Sequence, residues 1–176
     1  MDFQQVADWL RESHRAVVFT GAGISTESGI PDFRSPGGVW ARNKPVYYDE
    51  FLASEQARQE YWRQKSEAHV DFAGSVPNAG HRVLASWEQN GTLQGVITQN
   101  IDGLHQDAGS RRVLELHGTA RFVDCLSCAH RYEVEQMVER FQATGIPPTC
   151  DYCGGITKHA TISFGQQLQP QVIDEA

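Results

Sequence analysis

Gly21-Ala22-Gly23-Ile24-Ser25 directly follows the β-branched, apolar run Ala16-Val17-Val18-Phe19-Thr20. A strand that runs into glycines lets backbone N–H groups approach a pyrophosphate with no Cβ in the way, which is the logic of dinucleotide-binding turns. Taken alone, the glycines suit an ordinary tight turn equally well, because Thr26 stands where the third glycine of G-x-G-x-x-G would fall. The residues that follow add chemistry. Pro31 is a rigid kink, Asp32 a carboxylate, Phe33 an aromatic plate able to cover a reactive carbon from water, and Arg34 a fork of donors for anionic oxygen. A second apolar run, Val96-Ile97, leads into Thr98-Gln99-Asn100-Ile101-Asp102-Gly103-Leu104-His105. At the carboxyl end of a parallel strand, Gln99, Asn100 and Asp102 would face the crevice where ligands bind, offering amide and carboxylate partners to a sugar and a carboxamide; in isolation they also suit a polar turn. His117 closes a further alternating stretch. Its imidazole can take a proton near neutral pH, and Gly118 beside it leaves room for a substrate.

Cys125-x-x-Cys128 and Cys150-x-x-Cys153, separated by residues 129–149, make two knuckles that hold all four cysteines of the chain. Four thiolates at this spacing point to tetrahedral zinc with a closed shell, so the metal is expected to be structural and to hold a small module lacking a core of its own. Two disulfides or a redox pair are the competing readings. Disulfides would need an oxidising compartment, whereas Met1-Asp2-Phe3-Gln4-Gln5 opens on polar residues rather than the apolar core of a secretory signal, and a cytoplasmic location is expected. Zinc ribbons can also bind nucleic acid. Here Glu133, Glu135 and Glu139 outweigh Arg131 and Arg140 between the knuckles, which argues against a nucleic-acid partner.

The run from Gly21 to Arg34 resembles the nucleotide-loop signature of the sirtuins, the NAD-dependent protein lysine deacylases, and Thr98 to His105 is similar to their nicotinamide segment. The resemblance implies NAD contacts at Gly21, Ala22, Gly23, Ser25, Asp32, Phe33, Arg34 and Ile101, ribose contacts at Gln99 and Asn100, and the nicotinamide amide on Asp102. It makes His117 the catalytic histidine, with Asn100 and Asp102 beside it in catalysis. It also implies an acyl-lysine peptide substrate, paired as an added strand along Ile162-Ser163-Phe164-Gly165, with Ile162 and Phe164 lining the tunnel for the acyl chain. In this chemistry the acyl oxygen of the lysine attacks as nicotinamide departs, His117 draws a proton relayed from a ribose hydroxyl, and the products are free lysine, nicotinamide and O-acyl-ADP-ribose. Gln166 stands where sirtuins carry Glu. Trp62 and Lys65 align with a Tyr and an Arg of members that favour acidic acyl groups, which implies acetyl or another uncharged acyl group; a shift of one residue would bring Tyr61 or Arg63 there instead.

These residues need elements to hold them. Phe3, Val6, Ala7 and Leu10 share one face of an opening helix capped by Asp2, followed by a strand over 16–20. Residues 30–48, rich in Pro and Gly, read as a mobile loop over the cofactor. Two helices are expected over 49–71 and one over 78–90 with Val83, Leu84 and Trp87 inward, then strands at 93–98 and 113–124. A helix is expected near 133–143 inside the zinc module, and the chain should return to the main sheet at 157–165. Trp40, Tyr47, Tyr48, Tyr61 and Trp62 read as core or lid. His14, His69, His81 and His130 carry no motif, and His105 is expected to orient the loop around Asp102.

The fold class is therefore α/β: a Rossmann-like parallel sheet (residues 1–123 and 157–176) with an inserted zinc-ribbon module (124–156). Sirtuin domains continue past this point with further strands, so the chain is expected to be a fragment with part of the sheet beyond residue 176. At 176 residues and 40% hydrophobic it can bury a sizeable core, its net charge of −7 disfavours nucleic acid and suits a basic peptide, and no apolar run is long enough for a membrane. Two other functions stay open: a protein mono-ADP-ribosyltransferase, which shares nicotinamide cleavage, and a non-catalytic zinc-ribbon interaction module, which predicts no NAD binding.

Overall fold

The computed structural model describes residues 2–32, 43–72 and 74–176. Helix α1 (Phe3–Glu12) starts as its sequence dictates, with Asp2 Oδ1 accepting from the Gln4 N–H at 3.0 Å. Of the residues sharing its apolar face, Val6, Ala7 and Leu10 are half-buried and Phe3 is 92% exposed, and Val17 and Phe19 of the neighbouring strand β1 (Ala16–Thr20) are exposed as well.

Strand β1 pairs in parallel with β2 (Leu93–Thr98), and β2 in parallel with β3 (Val113–Glu115), in the order β1-β2-β3. Parallel neighbours need crossover connections. Helices α2 (Tyr48–Ala53), α3 (Glu55–Phe72) and α4 (Ala79–Gln89) supply the one between β1 and β2, and the short α5 (Leu104–Asp107) the next. The register sets Thr20 beside Thr98 and Thr98 beside Glu115, so the loops leaving all three strands emerge at one edge. In α4 the residues facing inward are His81, Leu84 and Ala85, one helical stripe; Val83 lies off that stripe and is exposed, contrary to expectation, and Trp87 is half-buried.

The strand expected over 113–124 is two strands in two sheets. The ladder of β3 stops at Glu115, and β4 (Gly118–Cys125) joins an antiparallel sheet in the order β5-β4-β6 with β5 (Arg131–Glu133) and β6 (Thr157–Thr161). His117 sits at the corner between the sheets. Gly118 makes the corner possible: its φ is +70°, and a Cβ there would stand 2.1 Å from the carbonyl oxygen of Ala160. The return of residues 157–165 to the main sheet is also corrected, because β6 pairs with β4 rather than with β1, β2 or β3.

The largest buried cluster unites Phe51 of α2 and Tyr61 and Trp62 of α3 with Val123, Tyr132 and, from helix α6 (Val134–Thr144), Met137, Val138 and Phe141. The cysteine-bearing segment thus shares a core with α2 and α3 instead of lacking one. Tyr61 and Trp62 are core residues as expected, whereas Tyr47 is partly exposed and lies against Phe164. Trp40 and most of the Pro- and Gly-rich loop lie outside the described residues. No helix among the described residues is long and apolar enough to cross a membrane. A final helix, α7 (Pro170–Glu175), begins with Pro at its first turn.

Candidate active site and metal centre

The edge where β1 and β2 end opens into a cavity of about 1500 Å³. Gly21, Ala22 and Gly23 line it, with Pro31 and Asp32 on one flank and Gln99, Asn100, Ile101 and His117 on the other. The glycine turn continues into a short 3₁₀ helix, Ala22–Ser28, closed by Gly29 at φ +86°. An added Cβ on Gly23 would meet nothing within 4 Å, so the backbone of the turn is open to a ligand there. Phe33 and Arg34 lie outside the described residues.

Both sequence motifs are tied together by side chains. Ser25, 1% exposed, donates to Asp102 Oδ2 at 2.7 Å and accepts from Asn100 Nδ2 at 3.0 Å. Asp102 Oδ1 accepts from the Leu104 N–H at 3.0 Å, which fixes the carboxylate across the start of α5. Asn100 reaches the cavity; Ser25 and Asp102 stand one layer behind it. Beneath them Thr20 Oγ1 donates to Thr98 Oγ1 at 2.8 Å, Thr98 Oγ1 accepts from the Asn100 N–H at 3.0 Å, and His105 Nε2 meets Thr20 Oγ1 at 2.9 Å. Since Thr20 already donates to Thr98, His105 is the donor through Nε2. His105 therefore braces the ends of β1 and β2 rather than bonding to the Asp102 loop. Burial first, and the neighbouring His81 second, pull its pKa down to about 4, so it is neutral at pH 7.

His117 Nδ1 lies 3.0 Å from the carbonyl oxygen of Gln99. A carbonyl accepts only, so Nδ1 carries a proton and Nε2 is the nitrogen left to exchange one with a substrate. The backbone carbonyl of His117 accepts from Ile162 N–H at 2.8 Å, which locks the histidine to the segment after β6. Ile162 and Phe164 line the same cavity, and Phe164 O accepts from Tyr48 N–H at 2.9 Å. Gln166, the departure from the family pattern, has a local role: its Oε1 accepts from Ser163 N–H at 3.1 Å and closes the turn after Phe164.

Sequence reasoning missed two groups around this site. Thr20 and Thr98 read only as strand residues, and their pairing exists only once β1 and β2 are in register. Asn78 caps α4 and also donates to Ile24 O at 2.6 Å and Ser28 Oγ at 2.9 Å, pinning the glycine turn from a helix 50 residues away in sequence. Tyr61 and Lys65 of α3 line the cavity, while Trp62 is fully buried against Phe141 and His159. Trp62 is therefore off the acyl pocket, contrary to expectation, while Lys65, expected there, and Tyr61, the one-residue alternative, are on the cavity wall. Arg63 is held by Glu60 at 2.7 Å and Glu67 at 2.6 Å.

The four cysteine Sγ atoms all lie within 4.8 Å of one another, Cys125 and Cys153 at 3.5 Å and Cys128 and Cys150 at 3.6 Å, and none is in a disulfide. Tetrahedral Zn–S bonds of about 2.3 Å give S···S edges of about 3.8 Å, so the donor set fits zinc and closes its shell with no position left for water. Two outer groups orient the sulfurs: Ser127 N–H points to Cys125 Sγ at 3.4 Å, and the buried Tyr132 hydroxyl lies 3.2 Å from Cys150 Sγ while accepting from Asp151 N–H at 2.9 Å. A dinucleotide fits the other centre for a different reason: a glycine turn open to the cavity, amide side chains beside it, and volume left over for a second ligand.

The comparisons agree with this architecture. A model of the Sir2 family matches residues 21–176. The chain is 46% identical over 175 residues to an NAD-dependent protein deacetylase of Rhodopseudomonas palustris, covering 98% of this chain and 69% of that protein, and 45% identical over 175 residues to NAD-dependent protein deacetylase 1 of Bradyrhizobium diazoefficiens, covering 98% and 68%. Among solved structures it is similar to Sir2 with a p53 peptide and NAD+ (TM-score 0.88, 37% identity, 99% of this chain and 70% of that one) and to Sir2 with a deacetylated p53 peptide and 3′-O-acetyl ADP-ribose (TM-score 0.90, 36% identity, 99% and 70%). A parallel sheet whose glycine turn, amide cluster and corner histidine share one cavity, with a four-cysteine knuckle pair beside it and this degree of identity along nearly the whole chain, belongs to the Sir2 family.

Proposed function

We propose that this protein removes acetyl, or other uncharged acyl, groups from lysine side chains of proteins at the expense of NAD, giving nicotinamide and O-acyl-ADP-ribose. The observation that carries this reading is that one cavity touches the glycine turn, the Gln99–Asn100 pair, His117 and the Ile162–Phe164 segment together. NAD supplies the ribose carbon that exchanges nicotinamide for the acyl oxygen.

This chain's residues do the rest. Gly21, Ala22 and Gly23 receive the phosphates on backbone N–H groups, with Asp32 on that side. Gln99 and Asn100 hold the ribose, Ile101 shields the reacting carbon from water, and Asp102, by fixing Ser25 and Asn100, sets the wall where the carboxamide is expected. His117 Nε2 takes the proton of a ribose hydroxyl, since its Nδ1 is committed to Gln99 O. Ile162 and Phe164 guide the acyl-lysine. The module of residues 124–156 keeps its zinc as a structural clamp and leaves the chemistry to the cavity. Four unbridged cysteines suit the reducing cytoplasm.

The test is to incubate the chain with NAD and an acetyl-lysine peptide and to follow both by mass spectrometry. Deacetylated peptide and O-acetyl-ADP-ribose should accumulate in equal amounts. ADP-ribose appearing on protein with the acetyl group left in place would assign the transferase reaction instead, and failure of NAD or ADP-ribose to bind in a calorimetric titration would leave only an interaction module.

A further inference from the structure

The loop Ile101-Asp102-Gly103 rests on strand β4, which runs from the His117 corner to Cys125 of the cysteine cluster. Ala120 N–H donates to Ile101 O at 2.9 Å, and both residues line the cavity. Arg121, the next residue along β4, reaches the same loop from outside the cavity lining. Its Nη2 donates to Gly103 O at 3.0 Å and also to the Asp107 carboxylate. Those two acceptors stand at opposite ends of α5, a single turn of helix that is marginal on its own. The guanidinium therefore staples the turn in which the Leu104 N–H holds Asp102 Oδ1. Gly103 is fitted to this arrangement. At φ +74° it takes a conformation that L-residues avoid, and a Cβ on it would stand 2.5 Å from Arg121 Cζ and 2.6 Å from Nη2. The guanidinium thus occupies the space that a side chain at position 103 would fill.

We propose that Arg121 is a positioning residue for the nicotinamide end of the site: by holding Gly103 O and Asp107 it sets where Asp102, and through Ser25 also Asn100, stand against the carboxamide. This rests on the deacylase reading of the site. Stability is not what the contact chiefly supplies, because the Arg121 and Asp107 side chains are 40% and 43% exposed and an ion pair so open to water contributes little. Position is another matter. Asp102 Oδ2 accepts from Ser25 at 2.7 Å and Ser25 accepts from Asn100 at 3.0 Å, so a displacement of the turn at Gly103 passes directly to the cavity wall. The phosphate side is pinned separately, by Asn78 on Ile24 O and Ser28 Oγ. Loss of Arg121 should therefore be felt by the nicotinamide half of NAD and not by its phosphates.

The test titrates wild type and Arg121→Met, by calorimetry, with NAD and with ADP-ribose, which carries the same phosphates and riboses without nicotinamide. Arg121→Met should bind NAD about ten-fold or more weaker, the scale of a lost hydrogen bond to a charged group, while ADP-ribose affinity, zinc content and melting temperature stay close to wild type. Arg121→Lys should recover most of the loss, since both bonds come from one nitrogen that an ammonium can replace. Gly103→Ala, which evicts the guanidinium, should weaken NAD binding in the wild-type background and add little in the Arg121→Met background. NAD affinity unchanged in Arg121→Met, equal losses for NAD and ADP-ribose, no recovery in Arg121→Lys, or additive effects of the two substitutions overturns the proposal and leaves the deacylase reading standing. Failure of the wild type to bind either ligand overturns the deacylase reading itself, and the proposal with it.

Discussion

Replacing Gly118 with Ala should uncouple the two sheets at His117. At φ +70° an L-residue costs about 1–2 kcal/mol over glycine. The new Cβ would stand 2.1 Å from the carbonyl oxygen of Ala160, a backbone atom held in the β4–β6 ladder, so the strand must move by about an ångström, and overpacking of this kind costs about 1–3 kcal/mol. Together the loss is about 2–5 kcal/mol, and at about 2–4 °C per kcal/mol for a chain of this size the melting temperature should fall by about 4–20 °C. Gly145→Ala is the control. Gly145 has nearly the same φ, +68°, but a Cβ there would meet nothing within 4 Å, so it carries the conformational cost alone. Thermal melts of the two variants by circular dichroism should differ by the steric part, with Gly118→Ala the lower, and the Ile162 N–H to His117 O bond should lose protection in hydrogen exchange. Equal melting temperatures for the two variants would refute the reasoning.

The burial of His105 gives a pH signature. An unfolded histidine binds a proton below about 6.5 and the folded one not until about 4, so the stability it contributes is present above pH 6.5 and is lost as pH falls to 4, by about 3 kcal/mol in all. Urea unfolding at pH 7 and pH 4.5 should show this drop reduced in His105→Gln relative to wild type, and an equal drop in both would contradict it. Tyr132→Phe removes the hydroxyl beside Cys150 but keeps the buried ring, and should weaken zinc retention by about 10–100-fold in a chelator competition while Tyr152→Phe, on an exposed ring, leaves it unchanged. Ser25→Ala removes the group bridging Asn100 and Asp102 and should weaken NAD binding in a calorimetric titration by about ten-fold or more, the worth of a hydrogen bond to a charged group; unchanged affinity would place Ser25 outside the cofactor's support.

Much of the site was legible in the sequence because its residues are contiguous. The glycine turn, the Gln99–Asp102 cluster and the two cysteine pairs each declare their chemistry within a few positions, and each follows or ends a strand that local patterning also reveals. Long-range register was not legible. The Thr20–Thr98 bond depends on two strands 78 residues apart, and the stop at Leu116–His117 depends on Gly118 meeting Ala160, a contact with no trace in the run Leu114-Glu115-Leu116-His117-Gly118. The apolar pattern of α1 marked a face correctly but could not say what covers it. On α3, helical periodicity alone leaves Trp62 and Tyr61 equivalent candidates for the cavity, and only the packing of Trp62 onto Phe141 and His159 decides between them.

The most direct measurement is the comparison of wild type and His117→Ala with NAD and an acetyl-lysine peptide. If Nε2 of His117 is the base, the variant should lose deacetylation by at least about a hundred-fold, the scale of general-base catalysis, while NAD binds with nearly unchanged affinity in a calorimetric titration. Turnover within a few-fold of wild type, or loss of NAD binding in parallel with activity, would contradict the account.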